Sequence, residues 1–362
     1  GWRINYMSIL RQHGRYLFLG LILLIGLSGC SAVNKPTSQA DIGGVFRSGN
    51  RGDNWQSASL IPSNSGNPGS IASLDANMLV MDPSDHRALY LASLDNGLAF
   101  TYDEGQNWQI AASLGRINVQ AVAIDYHNKC LIFAASGNRL LRSEDCNRTW
   151  KQVYYDNAPD VVITSLLTDH YNSGVVFLGT SRGDILQSND RGETWQVVQR
   201  FNDTIKRIVM SPKDSRLMFA ATASKGLFRT TDGGATWENI NKSLEEFQIG
   251  NQFRDLTISL EDQPVTYLAT DYGLFKSVNL GESWTKIELL TPESQTVINA
   301  LAINPHNSQE IYYVTNTTFY RSLDGGKTWS TKKLPTSRAG RALLVDPEQP
   351  GVLYLAVKKI KN

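Results

Sequence analysis

The stretch Ser322-Leu323-Asp324-Gly325-Gly326-Lys327-Thr328-Trp329 decides the fold, because the chain repeats it. The pattern (hydroxyl, any, acid, any, Gly, any, any, Trp) recurs at Thr101 to Trp108, Ser188 to Trp195 and Thr230 to Trp237. Looser copies run from Ser48 to Trp55, Ser143 to Trp150 and Ser277 to Trp284. The tryptophans at 55, 108, 150, 195, 237, 284 and 329 are 53, 42, 45, 42, 47 and 45 residues apart. A period of about 40–50 residues with strand-like flanks marks a propeller or an array. Of eight tryptophans, Trp2 alone lies outside the pattern.

Each copy reads as a tight turn between two strands. The acid accepts hydrogen bonds from the N–H groups that follow it, and the glycine supplies the positive φ of a sharp reversal. The Trp opens the next strand and carries a large apolar surface to pack between sheets. The acids are Asp103, Asp145, Asp190, Asp232 and Asp324, with Asn50 and Asn279 keeping an acceptor oxygen in the other two copies. Asn147 replaces the glycine once, and Asn tolerates the left-handed region better than most residues. A calcium loop needs about six to eight oxygens, and one acid per turn does not supply them. No metal is expected.

The pattern resembles the BNR, or Asp-box, repeat, and Thr230-Thr231-Asp232-Gly233-Gly234-Ala235-Thr236-Trp237 matches it fully. The resemblance covers nearly all of the chain after residue 43. Similar repeats occur in sialidases, xyloglucan-cleaving hydrolases, sortilin-type receptors and the photosystem II stability/assembly factor family. What these share is a fold; their functions differ.

Four strands per repeat make one blade. Each repeat offers an apolar run, a turn, a second apolar run and the Asp-box hairpin, as in Ile298 to Ile303 followed by Ile311 to Val314. The chain opens on the second half of a repeat (Val45-Phe46-Arg47, then Trp55) and ends on the first half of one (Ala342 to Pro347, then Val352 to Ala356). Two halves and six whole units predict an all-β, seven-bladed β-propeller, its ring closed by a blade shared between the termini. Closure leaves no open seam to aggregate.

Ahead of the ring, Arg11 and Arg15 precede an apolar run from Leu17 to Leu27 that ends Leu27-Ser28-Gly29-Cys30. A basic segment before a short apolar one reads as a signal peptide, and Leu-Ser-Gly-Cys resembles a bacterial lipobox. The expected division is a lipoprotein signal peptide over 1–29, a lipidated tether over 30–43 and the propeller over 44–362, with Cys30 carrying the lipid. An uncleaved anchor helix is the alternative. The address that follows is extracytoplasmic, lipid-anchored to a bacterial membrane, periplasmic or at the cell surface. Removing residues 1–29 takes three arginines from 35 basic residues and leaves 34 acids, a net charge of −2. That balance gives no support to nucleic-acid binding. Cys130 and Cys146 are the remaining cysteines; in an exported chain they form either a disulfide or two free thiols.

His86, His127, His170 and His306 fall in the turns between first and second strands and read as turn residues spread around the ring, too far apart to share an ion. The opposite face carries the mouth of the channel. Aligning first strands places Asn77, Gln120, Thr164, Lys206, Arg254, Asn299 and Arg341 there, with Arg207 beside Lys206 and with Arg116 and Arg182 in nearby loops. Arginine forks pair carboxylates, so Lys206, Arg207, Arg254, Arg341, Arg116 and Arg182 are the candidate residues for docking an acidic segment of a partner protein. A solvated rim of mixed charge is the plainer reading.

A sialidase-like site needs an arginine triad and a Phe-Arg-Ile-Pro-like motif, and Phe46-Arg47-Ser48-Gly49 only approaches it. Glycosidases need two carboxylates at a defined separation, and nothing singles out Glu245, Glu246 or Asp271. The expectation is therefore a monomeric, non-enzymatic propeller without a cofactor, binding protein as a scaffold or assembly factor for a membrane or envelope complex. The alternative is a glycan-binding or glycoside-hydrolase-like envelope protein of sialidase or xyloglucanase type. The long loops 56–77 and 241–253 are further places where binding is expected.

Overall fold

Seven four-stranded antiparallel sheets succeed one another along the chain. They belong to a computed structural model that describes residues 39–247, 252–292, 295 and 297–360 of 362, within a compact unit of Gln39–Asn362. Cys30, the signal peptide and most of the tether lie outside the described residues. In blade 3 the strands are Ile163–Thr168, Val176–Thr180, Asp184–Ser188 and Gln196–Arg200, paired in chain order. Blades 1 to 6 follow this order from Ala76–Asp82 to Ser330–Lys333. The second strands are almost wholly buried: Val176–Thr180 and Met218–Thr222 have no exposed residue. That explains their near-continuous apolar sequence.

The seventh blade is built from both ends of the chain, as the half-repeats predicted. Ala339–Val345 pairs with Leu353–Lys358, which pairs with Gly44–Ser48 and then Gln56–Ser57. The join runs in register from Gly44↔Val357 to Ser48↔Leu353. Residues 40–43 extend it. The Ile42 N–H donates to Thr336 Oγ1 at 3.2 Å and the Ser337 N–H to the Ala40 carbonyl at 3.2 Å. The long loop 56–77 also belongs to the join rather than standing free. It holds a small hairpin, Leu60–Ile61 with Gly69–Ser70, and its Leu60 and Ala58 carbonyls accept the backbone N–H and the indole N–H of Trp108, both at 2.8 Å.

The Asp-box turns have one geometry. The box hydroxyl accepts the N–H four residues on, as in Gly192 N to Ser188 Oγ at 2.7 Å. The acid accepts the N–H of the residue before Trp, as in Thr194 N to Asp190 Oδ1 at 2.8 Å. Asn50 and Asn279 do the same, at 2.9 Å to Asn54 and 3.0 Å to Ser283. Two successive residues take positive φ in each copy. Asn147 (φ 68°) fills the glycine position, while Arg51, Glu104, Cys146, Arg191 and Leu280 hold the left-handed region just before it. The hydroxyl and carboxylate bonds offset the strain of a side chain there.

Each tryptophan belongs to a different apolar cluster, and each cluster lies between two neighbouring blades. Trp195 packs with the core of blades 2 and 3, Trp284 with that of 4 and 5, and Trp108 with that of 7 and 1. The ring thus has seven interfaces rather than one core. Arginines cross them on the Asp-box side. Arg142 donates to the Arg191 carbonyl at 2.7 Å and to Glu193, Arg229 to the Leu280 carbonyl at 2.9 Å, and Arg321 to the Arg51 carbonyl at 3.0 Å. Cys130 and Cys146 are joined by a disulfide that ties the Asp-box turn of blade 2 to the turn between its first and second strands.

Candidate functional site

The first strands carry the mouth residues, and a backbone irregularity sets how they point. Register shifts fall between Ala76 and Met78, Ile163 and Ser165, Ile205 and Arg207, Phe253 and Asp255, and Gly340 and Ala342. The residues skipped are Asn77, Thr164, Lys206, Arg254 and Arg341. A bulge leaves its extra residue unpaired and re-aims the side chain. Five of the seven mouth positions are bulge residues. Gln120 and Asn299 stand just before strands Ala121–Ile124 and Ala300–Asn304.

All seven line one cavity of about 430 Å³, together with Arg207, Asp255 and Lys358. The alignment of first strands therefore gathers what the sequence reading gathered. Arg116 and Arg182 are not among its lining residues. Arg182 is engaged on the loops outside, at 2.7 Å from Asp184 and 2.9 Å from Asp156. Phe253 is the one aromatic side chain in the lining.

The polar groups of the mouth divide into engaged and idle. Asn77 donates to the Val119 carbonyl at 2.8 Å, and Gln120 accepts the Gly137 N–H at 2.9 Å. Thr164 donates to the Ile205 carbonyl, and Asn299 to Asn316 at 2.8 Å. Arg254 pairs with Asp271 and Arg207 with Asp255. Asp255 is buried and also accepts the N–H groups of Leu256 and Leu301, both at 2.9 Å, so one carboxylate links the inner strands of blades 4, 5 and 6. Lys206 and Arg341 make no hydrogen bond or ion pair with any described residue. Burial pulls the Arg341 guanidinium below its ordinary pKa; Asp255 opposes that and Arg207 adds to it.

At the Asp-box end a second cavity, of about 510 Å³, is lined by Phe100, Tyr102, Ile110, Cys146, Asn147 and Arg148. Among the described residues no group of three or more His, Cys, Asp or Glu is placed to hold a metal ion. The histidines are less scattered than the sequence suggested, because neighbouring blades meet at this rim. The Tyr126 ring lies 5.4 Å from His127 and 6.3 Å from His170, one blade on. His86 joins blade 1 to the closing blade through Asp346 at 2.8 Å and Glu348 at 3.3 Å. The loop 241–253 places a short helix, Asn241–Phe247, against the core through Leu244 and through Phe247, 5.0 Å from Phe275.

Known proteins resemble the chain both in parts and along most of its length. The BNR/Asp-box repeat model matches residues 320–331, and the model described as sortilin, neurotensin receptor 3 matches 183–268. The xyloglucanase Xgh74A of Acetivibrio thermocellus is 26% identical over 333 residues, covering 77% of this chain and 36% of that protein. The chain thus spans about a third of the length of this relative. Among solved structures, the GH74 enzyme of Niastella koreensis superposes with a TM-score of 0.63 at 17% identity, over 79% of this chain and 51% of that one. A structure of YCF48 bound to D1 peptide superposes with a TM-score of 0.59 at 18% identity, over 80% of this chain and 94% of that one. These likenesses confirm the propeller and correct one expectation. The lack of a full sialidase-like motif and of a singled-out carboxylate pair argued against an enzyme, yet relatives covering 77% and 81% of this chain are named xyloglucanases. Glycosidase carboxylates are brought together from distant segments and leave no local motif to read.

Proposed function

We propose that the chain is an extracytoplasmic, hydrolase-like propeller that holds an extended glycan across the mouth of its central channel. The observation that carries this is similarity to xyloglucanases along three quarters of the chain. The open cavity gives the sugar hydroxyls partners in the amide atoms of Asn77, Gln120 and Asn299 that the internal hydrogen bonds leave over. Asp255 and Asp271 are the carboxylates nearest the mouth and are the ones to test for a part in cleavage. Incubation of the full chain with xyloglucan and a panel of envelope polysaccharides, read by release of reducing ends and by retention on immobilised glycan, tests the reading. Binding or cleavage of one class, lowered in Asp255→Asn or Asp271→Asn, supports it; no retention and no release from any polymer refutes it.

A second reading is favoured by the make-up of the mouth: five basic residues, one acid and one aromatic ring. Sugar rings stack on aromatic faces, whereas Arg and Lys pair carboxylates. This composition suits an acidic protein segment, and the mouth would then dock a partner in a membrane or envelope complex. Capture of a membrane protein by wild type, lost with Lys206→Glu and Arg341→Glu, supports it. Equal capture by the variant sinks it. In both readings Cys30 carries the membrane anchor, and incorporation of labelled fatty acid that disappears in Cys30→Ser tests that step.

A further inference from the structure

The idle cations of the mouth carry an inference that rests on the mouth being the ligand site but not on which polymer occupies it. From their geometry we infer that Arg341 and Lys206 form an oxoanion subsite that takes a carboxylate of the ligand. Arg341 sits on a bulge of the closing blade, partly buried in the channel wall. The neighbouring arginine, Arg207, repels it, and the acid within reach, Asp255, is already held by Arg207 and two backbone N–H groups. Every other polar mouth residue described above has a partner inside the protein. A charge withdrawn from water without a partner is costly, and proteins rarely keep one that no ligand uses. Lys206 lines the same cavity from blade 4, exposed and without a partner among the described residues. A guanidinium fork matches the two oxygens of a carboxylate, and an ammonium lining the same cavity adds a second positive charge. The site should therefore discriminate an acidic unit, whether a sugar acid or an acidic side chain, from its neutral counterpart.

Two matched pairs of probes separate the sources. One pair is an oligogalacturonate and its methyl ester; the other is a short Asp- and Glu-containing peptide and its Asn and Gln counterpart. Calorimetric titration of the full chain should show one acidic member binding, with its neutral twin at least about tenfold weaker. Arg341→Met and Lys206→Met should each remove that preference. Arg341→Met should also melt no lower than wild type in the absence of probe, since it removes an unpaired charge beside Arg207. Should Arg341→Met fail to fold, Lys206→Met alone reads the preference. Equal binding of acidic and neutral members, or a preference that survives in Lys206→Met and in a folded Arg341→Met, overturns the subsite. The glycan reading can fail separately. If the acidic peptide binds through Arg341 while no glycan is held, the subsite stands and the glycan reading falls. If neutral glycan binds and neither acid is preferred, the reverse holds.

Discussion

The two ends of the ring treat their polar groups in opposite ways. At the Asp-box end, most carboxylates, hydroxyls and arginines are bonded within the protein itself, although Nε of Arg142 and of Arg229 is buried without a partner among the described residues. Asp190 bonds the N–H and hydroxyl of Thr194 and the hydroxyl of Ser188, and Arg142 is fastened to the next blade. At the channel end, bulges turn residues away from their sheets, and Lys206 and Arg341 are left without partners among the described residues. A group already satisfied within the fold has little to give a ligand, so repeated motifs mark the scaffold and departures from regular pairing mark the site. Substitutions should separate the two ends by size of effect. The largest is expected at Trp108, wholly buried and hydrogen-bonded through its indole to the Ala58 carbonyl. Trp108→Ala should cost about 3–5 kcal/mol, read as a fall in the urea midpoint, whereas Lys206→Met should stay within about 0.5 kcal/mol. A Trp108→Ala protein as resistant as Lys206→Met would show that the box tryptophans do not carry the interfaces.

The disulfide comes next. It closes a separation of 16 residues within blade 2, and a loop of that length contributes about 3 kcal/mol in the chain-entropy account. Replacing Cys130 and Cys146 by serine should lower the midpoint accordingly and leave mouth binding unchanged. If ligand affinity fell as much as stability did, the two ends would be coupled and the contrast between them would fail.

The carboxylates of the boxes should show themselves in acid. Asp145, Asp190, Asp232 and Asp324 are each held at about 2, first by the hydroxyl of the Thr four residues on and then by that residue's N–H. A pKa depressed on folding contributes stability above the unfolded value near 3.8 and loses it as pH falls toward 2. The melting temperature should therefore drop between about pH 4 and pH 2. Asp190→Asn, which copies Asn50 and Asn279, should make that drop shallower by lowering the pH 7 value toward the acid one. An unaltered acid slope would mean that the box acids do not govern it.

How legible each end was in the sequence follows from the same contrast. The ring could be read because Trp and the box hydroxyl recur at fixed offsets in all seven copies, and because the half-repeats at the termini are complementary. The mouth positions could be found by aligning first strands. Their bulges could not, since Asn77, Lys206 and Arg341 carry no local signature, and pairing register depends on the neighbouring strand. Nor could the pairing of Arg207 with Asp255, which lies 48 residues away, or that of Arg182 with Asp156 and Asp184. Ion pairs between blades depend on side-chain reach across an interface, and repeat spacing does not encode it. The loop 56–77 misled because its Ser, Asn, Gly and Pro content looks free, while its carbonyls serve Trp108.

The smallest effect tests a histidine of the Asp-box end that bridges two blades. His86 sits between Asp346 and Glu348 across the joint that closes the ring, and its exposed fraction is 14%. Burial opposes its protonation, but the hydrogen bond and charge of Asp346, with Glu348 and Glu104 behind it, prevail, and its pKa is raised above 6.5. A pKa raised on folding contributes stability that is complete below the unfolded value and fades as pH rises through the folded one. The joint should thus be firmest below about pH 6.5 and loosen on going alkaline. A paired histidine this close to solvent contributes about 0.2–1 kcal/mol, so the melting temperature should decline slightly from pH 6 to 8. His86→Gln should remove that decline while leaving the acid drop of the box carboxylates in place. Should the decline persist in His86→Gln, the closing blade would be held by its backbone register and apolar packing alone.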